Sequence, residues 1–64
     1  MKFKVGDPVM GSIKGSGKVY QITTDKDYPI IVRFDGNINY LLLNHYYSWE
    51  GKGLTEAFGT ITKS

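Results

Sequence analysis

Tyr28-Pro29-Ile30-Ile31-Val32-Arg33-Phe34-Asp35-Gly36 is the stretch that decides how this chain is read. Its middle is rich in β-branched and aromatic residues, which suit a pleated, half-buried surface. Pro29 opens a strand without being asked to donate inside one. Asp35-Gly36 ends the run, and Asp-Gly after apolar alternation predicts a hairpin turn. With a period of two, Ile30, Val32 and Phe34 share one face, and Ile31 and Arg33 the other. The stretch reads as the central strand of a small β domain.

Residues 1–64 are long enough for one domain only. A chain of this size buries roughly 60% of its unfolded surface, so modest stability is expected. There is no cysteine, which excludes a disulfide framework and a thiolate metal site, and the single histidine, His45, excludes a multi-histidine site. A hydrophobic content of 41%, with 14% aromatic, argues against intrinsic disorder. No purely aliphatic run exceeds three residues, Leu41-Leu42-Leu43 being one such run, far short of a membrane span. No apolar segment follows Met1-Lys2-Phe3-Lys4, so no signal peptide is expected, and a soluble cytoplasmic protein is the default. A net charge of +2 permits an anionic partner without requiring one.

Upstream of the central stretch, Lys2 to Val9 predicts a lead-in strand with Phe3 and Val5 on one face, broken at Gly6-Asp7-Pro8. Val9 and Ile13 resume the inward face across Gly11, which marks a bulge or the close approach of another strand. Gly15-Ser16-Gly17 is a tight turn, and Lys18 to Thr24 a return strand. There Val19 and Ile22 are three apart, not two. Either a bulge re-aims one of them, or Tyr20 and Ile22 face inward; bending a strand around a small barrel favours the bulge. Asp25-Lys26-Asp27 is a solvated loop tip.

Downstream, Asn37 to Leu43 fits strand alternation through Ile38, Tyr40 and Leu42, and also one helical turn through Ile38, Leu41 and Leu42. The turn just before it favours a strand. His45 to Trp49 alternates His45, Tyr47 and Trp49 against Tyr46 and Ser48. Leu54 to Phe58 predicts a brief helical turn with two apolar anchors, and Thr60 to Thr62 a last strand. Short strands separated by turn signals about every 8–12 residues predict a sandwich or barrel. At this length a five-stranded barrel is the economical form, because closure removes edges. The expected core is Val5, Val9, Ile13, Val19, Ile22, Ile30, Val32, Phe34, Tyr47, Trp49, Leu54 and Phe58.

Gly6-Asp7-x-Val9 followed by Gly15-x-Gly17-x-Val19 resembles the opening of KOW- and Tudor-type SH3-like barrels. Tyr28-Pro29-Ile30 with Val32 and Phe34, then an aromatic strand ending in Trp49-Glu50-Gly51-Lys52, is similar to small uncharacterised bacterial and phage proteins of that shape. The longer, more apolar Asn37–Asn44 segment departs from that pattern. The resemblance implies an all-β, single small five-stranded SH3-like (Tudor/KOW-like) barrel that binds RNA, DNA, proline-rich or modified peptides, or RNA polymerase and its factors. It does not choose among those partners.

Catalytic and cofactor motifs are not found. Gly15-Ser16-Gly17 begins a dinucleotide fingerprint, but Tyr20 stands where a third glycine is needed and no helix follows. Asp25 and Asp27 lack the dry pocket that paired carboxylates need and the further ligands of a calcium loop. His45 has no nucleophile to serve, and Ser48 has no motif around it. No enzyme, metal or cofactor is therefore expected, nor a small-molecule substrate. The aromatics carry more weight. Tyr20, Tyr28, Tyr40, Tyr46, Tyr47 and Trp49 are more than a core this small absorbs, and exposed rings stack on bases or anchor protein interfaces. Lys2, Lys4, Lys14 and Lys18 against Asp7 make the first eighteen residues basic, and form one patch if the lead-in strand lies beside the Gly15–Lys18 loop.

The expectation is a non-enzymatic binding module for nucleic acid, or for a protein of the transcription or translation machinery, using Lys14, Lys18, Tyr20, Tyr28, Arg33, Tyr46 and Lys52. The alternative is a phage- or prophage-type adaptor or inhibitor that binds a bacterial protein through Ile38, Tyr40, Leu41, Leu42 and Leu43.

Overall fold

The computed structural model describes residues 3–36 and 43–64. Five strands, β1 (Pro8–Gly11), β2 (Gly15–Ile22), β3 (Ile30–Phe34), β4 (His45–Tyr47) and β5 (Ile61–Lys63), form one antiparallel sheet in the order β4-β3-β2-β1-β5. The sheet curls into a half-barrel consistent with an SH3-like barrel. Backbone bridges Tyr47↔Gly53 and Lys52↔Thr60 carry the chain from one edge strand to the other, so residues 51–53 close the curl. That closure demands glycine. Gly51 has φ +87°, and a Cβ there would collide with the Ile61 carbonyl oxygen.

The core is built around β3. Ile30, Val32 and Phe34 are buried on one face, as alternation requires, together with Phe3, Val9, Val19, Tyr47, Phe58 and Ile61. Phe34 has space only because Gly11 and Gly17 have no side chains. A Cβ on Gly17 would lie 2.8 Å from its Cδ1, and one on Gly11 would lie 3.0 Å from its Cε1. The return strand carries the bulge. Val19 pairs with Val32 and Gln21 with Ile31, so Tyr20 is an extra residue with no partner in β3. The insertion accounts for the three-residue step from Val19, which is buried, to Ile22, which packs against the core.

Four expected core residues are outside it, each for a local reason. Val5 (63% exposed) is at the tip of a turn closed by Asp7 N–H to the Lys4 carbonyl (3.0 Å) and Lys4 N–H to the Asp7 carboxylate (2.8 Å), with Gly6 at φ +91°. The lead-in strand therefore begins only at Pro8. Ile13 (62% exposed) caps the β1–β2 turn, where Ser12 exchanges hydrogen bonds with Thr60. Trp49 lies in the turn after β4, held by Ser48. Leu54 follows the closing segment and is half exposed, leaving Phe58 as the one buried anchor of the three-residue 3-10 turn Glu56–Phe58. In exchange Phe3, Ile31, His45 and Ile61 are buried.

Asp35-Gly36 does not make a two-residue hairpin. β3 pairs with His45–Tyr47, through Ile30↔Tyr47 and Val32↔His45, and the Asp35 N–H bonds to the Ser16 carbonyl (2.9 Å). The expected strand at 37–43 lies outside the described residues except for Leu43, which is in no strand.

Candidate functional site: an aromatic and basic sheet face

The face of β3 opposite the core presents Ile31 and Arg33. Register places Lys18 of β2 directly across from Arg33, and Tyr46 of β4 across from Ile31. The bulge sets Tyr20 beside them. The Arg33 guanidinium carbon lies 3.5 Å from the centre of the Tyr20 ring, a cation–π contact. Arg33 Nε donates to Asn44 Oδ1 at 3.0 Å, which orients the guanidinium over the ring. Tyr20 nevertheless remains 47% exposed. Among the described residues the only salt bridge joins Lys63 to Asp7 (3.3 Å), so there Lys18 and Arg33 have no carboxylate partner. The result is an open ring flanked by two cations on a sheet surface.

Tyr28, Tyr46 and Lys52 lie along a second feature. Tyr28 and Tyr46 line a shallow concavity of about 330 Å³ with Thr23, Asp25 and Leu54. Tyr28 and Leu54 continue into a neighbouring one of about 420 Å³ that reaches Lys52 and Glu56. The loop behind it is ordered by Asp25, whose Oδ2 accepts from the backbone N–H of Asp27 (3.1 Å) and Tyr28 (2.7 Å). The predicted site residues therefore fall into two groups, Lys18, Tyr20 and Arg33 on the sheet face and Tyr28, Tyr46 and Lys52 along the concavities.

Lys14 joins neither. It sits on the β1–β2 turn, about 13 Å from Lys18 along an extended strand. The N-terminal segment does run beside β2, with Gly6 N–H bonded to the Val19 carbonyl (2.8 Å), but it brings Asp7 and its Lys63 partner, and Lys2 lies outside the described residues. Of the alternative interface, Ile38, Tyr40, Leu41 and Leu42 also lie outside the described residues; Leu43 is half-buried.

His45 is a core residue. It is 2% exposed, edge-on to Phe34 (5.2 Å between ring centres) and tilted against Phe58 (4.8 Å). Its Nδ1 finds no partner among the described residues. Burial lowers its pKa below the usual 6.5, with Lys14 acting the same way and a hydrogen bond to the Leu43 backbone opposing them. Neither concavity reaches it. Tyr47, beside it, donates to the Phe58 carbonyl (2.7 Å), and burial pushes its phenol up to about 12.

Sequence reasoning picked out Lys18, Tyr20 and Arg33 one by one. It missed Asn44, whose role depends on a register that only the folded sheet sets. No family model, curated protein or solved structure matches this chain. Among the described residues no group of three or more metal-ligating side chains is gathered, and no helix is long and apolar enough to cross a membrane.

Proposed function

We propose that this chain is a non-enzymatic, Tudor/KOW-like binding module that holds nucleic acid on the outer face of β2 and β3. The observation that carries the reading is the exposed Tyr20 ring with Arg33 held 3.5 Å over it and Lys18 in register across the ladder. Exposed aromatic rings stack on bases, and arginine and lysine neutralise phosphates. The bulge that places Tyr20 also fits, since such insertions re-aim side chains at functional sites. A role in transcription or translation is compatible with this surface, as is a cytoplasmic location.

The test is fluorescence anisotropy with labelled oligonucleotides at low salt. Two phosphate contacts, from Lys18 and Arg33, give a slope of log K against log salt of about −1.4 on a single strand and about −1.8 on a duplex. Failure of every oligonucleotide to bind at low salt overturns the proposal.

A further inference from the structure

We infer, building on that reading, that the ligand is a single strand, stacked through one base on Tyr20, with Lys18 and Arg33 taking the flanking phosphates. Three features of the molecule lead there. The first is the openness of the ring. Tyr20 keeps 47% of its surface exposed although Arg33 covers one side, so the unpaired bulge residue offers an aromatic surface to solvent. Inside a duplex each base face is covered by its neighbours, so such a platform is useful only to an unstacked base.

The second is that the described residues hold no free element for reading a duplex. Major-groove readers insert a helix or a two-stranded ribbon. Among the described residues the only helical element is Glu56–Phe58, and Phe58 is committed to the core. The β2 and β3 backbones beside Tyr20 are likewise tied into the sheet.

The third is the charge. The face concentrates two cations beside one ring, one of them fixed in direction by Asn44. That arrangement matches a short run of phosphates on either side of a stacked base. Two cations facing each other across one ladder do not form the two separated rows that the two backbones of a duplex would engage. Arg33 has its Nε committed to Asn44, while its terminal nitrogens, which have no hydrogen-bond partner among the described residues, can make a phosphate fork.

The experiment compares three labelled or competing ligands on the whole chain: oligothymidylate, a mixed-sequence duplex of equal length, and inorganic polyphosphate. It also compares Tyr20→Leu and Tyr20→Trp, with circular dichroism confirming that each variant is folded. Expected are tighter binding of oligothymidylate than of duplex, an about 5- to 150-fold loss on oligothymidylate for Tyr20→Leu, and retention by Tyr20→Trp. Polyphosphate, which has no bases, should bind both variants alike. Duplex binding as tight as single-strand binding overturns the inference, as does a Tyr20→Leu loss no larger on oligothymidylate than on polyphosphate; in both cases the charged-face reading survives. If no nucleic acid binds, both fall.

Discussion

Gly17→Ala adds one methyl group at the point where β2 passes under Phe34. The φ of Gly17 is not positive, so the cost is purely steric and can be read from the structure. The new Cβ would lie 2.7 Å from the Arg33 carbonyl oxygen and 2.8 Å from Phe34 Cδ1. The first atom is backbone in the β2–β3 ladder. The second belongs to a buried ring held edge-on by Tyr47 and His45. Neither yields without loss elsewhere, and overpacking of this kind costs about 1–3 kcal/mol. A 64-residue domain holds only about 3–10 kcal/mol in total, so the effect is a sizeable share. Each kcal/mol lowers the melting temperature by about 4–8 °C in a domain of this size. Gly36→Ala is the control, because a Cβ there meets nothing within 4 Å among the described residues. It should change stability by no more than about 0.5 kcal/mol. Thermal unfolding followed by circular dichroism measures both. A Gly17→Ala protein as stable as the parent, or a Gly36→Ala protein that loses more, would refute the packing of Phe34 against β2.

Three further outcomes follow from the core and the turns. His45 has a pKa below 6.5 when folded, so the unfolded chain binds the extra proton first; stability should be level above about pH 6.5 and fall as pH drops below it, and His45→Leu should flatten that fall in urea titrations at pH 7.5 and 5. Tyr47→Phe removes the donor to the Phe58 carbonyl and should cost about 1–3 kcal/mol by leaving that buried acceptor unpaired; in the parent, absorbance titration should show one phenol ionising near 12, well after an ordinary tyrosine. Val5→Ser and Ile13→Thr, at exposed turn tips, should each shift stability by no more than about 0.5 kcal/mol, whereas Val9→Ala should be clearly destabilising.

The β3 stretch was legible because one face of it alternates, and the bulge because Val19 and Ile22 break that period. Gly11 announced a bulge or the close approach of another strand, and its close neighbour is the Phe34 ring of β3; Gly17, expected in a tight turn, lies in β2 against the same ring. Val5 and Ile13 misled because an apolar residue at a turn tip looks, in sequence, like one on a strand; only hydrogen bonds from Asp7 and Ser12 separate the two cases. Ile31 was hidden by the opposite problem, since its burial depends on what the curled sheet brings over it. For the same reason the sequence named Tyr20, Arg33 and Lys18 without showing that they meet. Their contact depends on antiparallel register and on one inserted residue, neither of which is a local property.

Backbone amide chemical shifts recorded during titration with oligothymidylate test the sheet-face claim most directly. Perturbations should concentrate at Lys18 to Gln21, Ile31 to Arg33 and Asn44, with the Tyr28–Leu54 concavity little changed. Perturbations centred on Tyr28, Leu54 and Thr55 instead, or none at all at low salt, would contradict it.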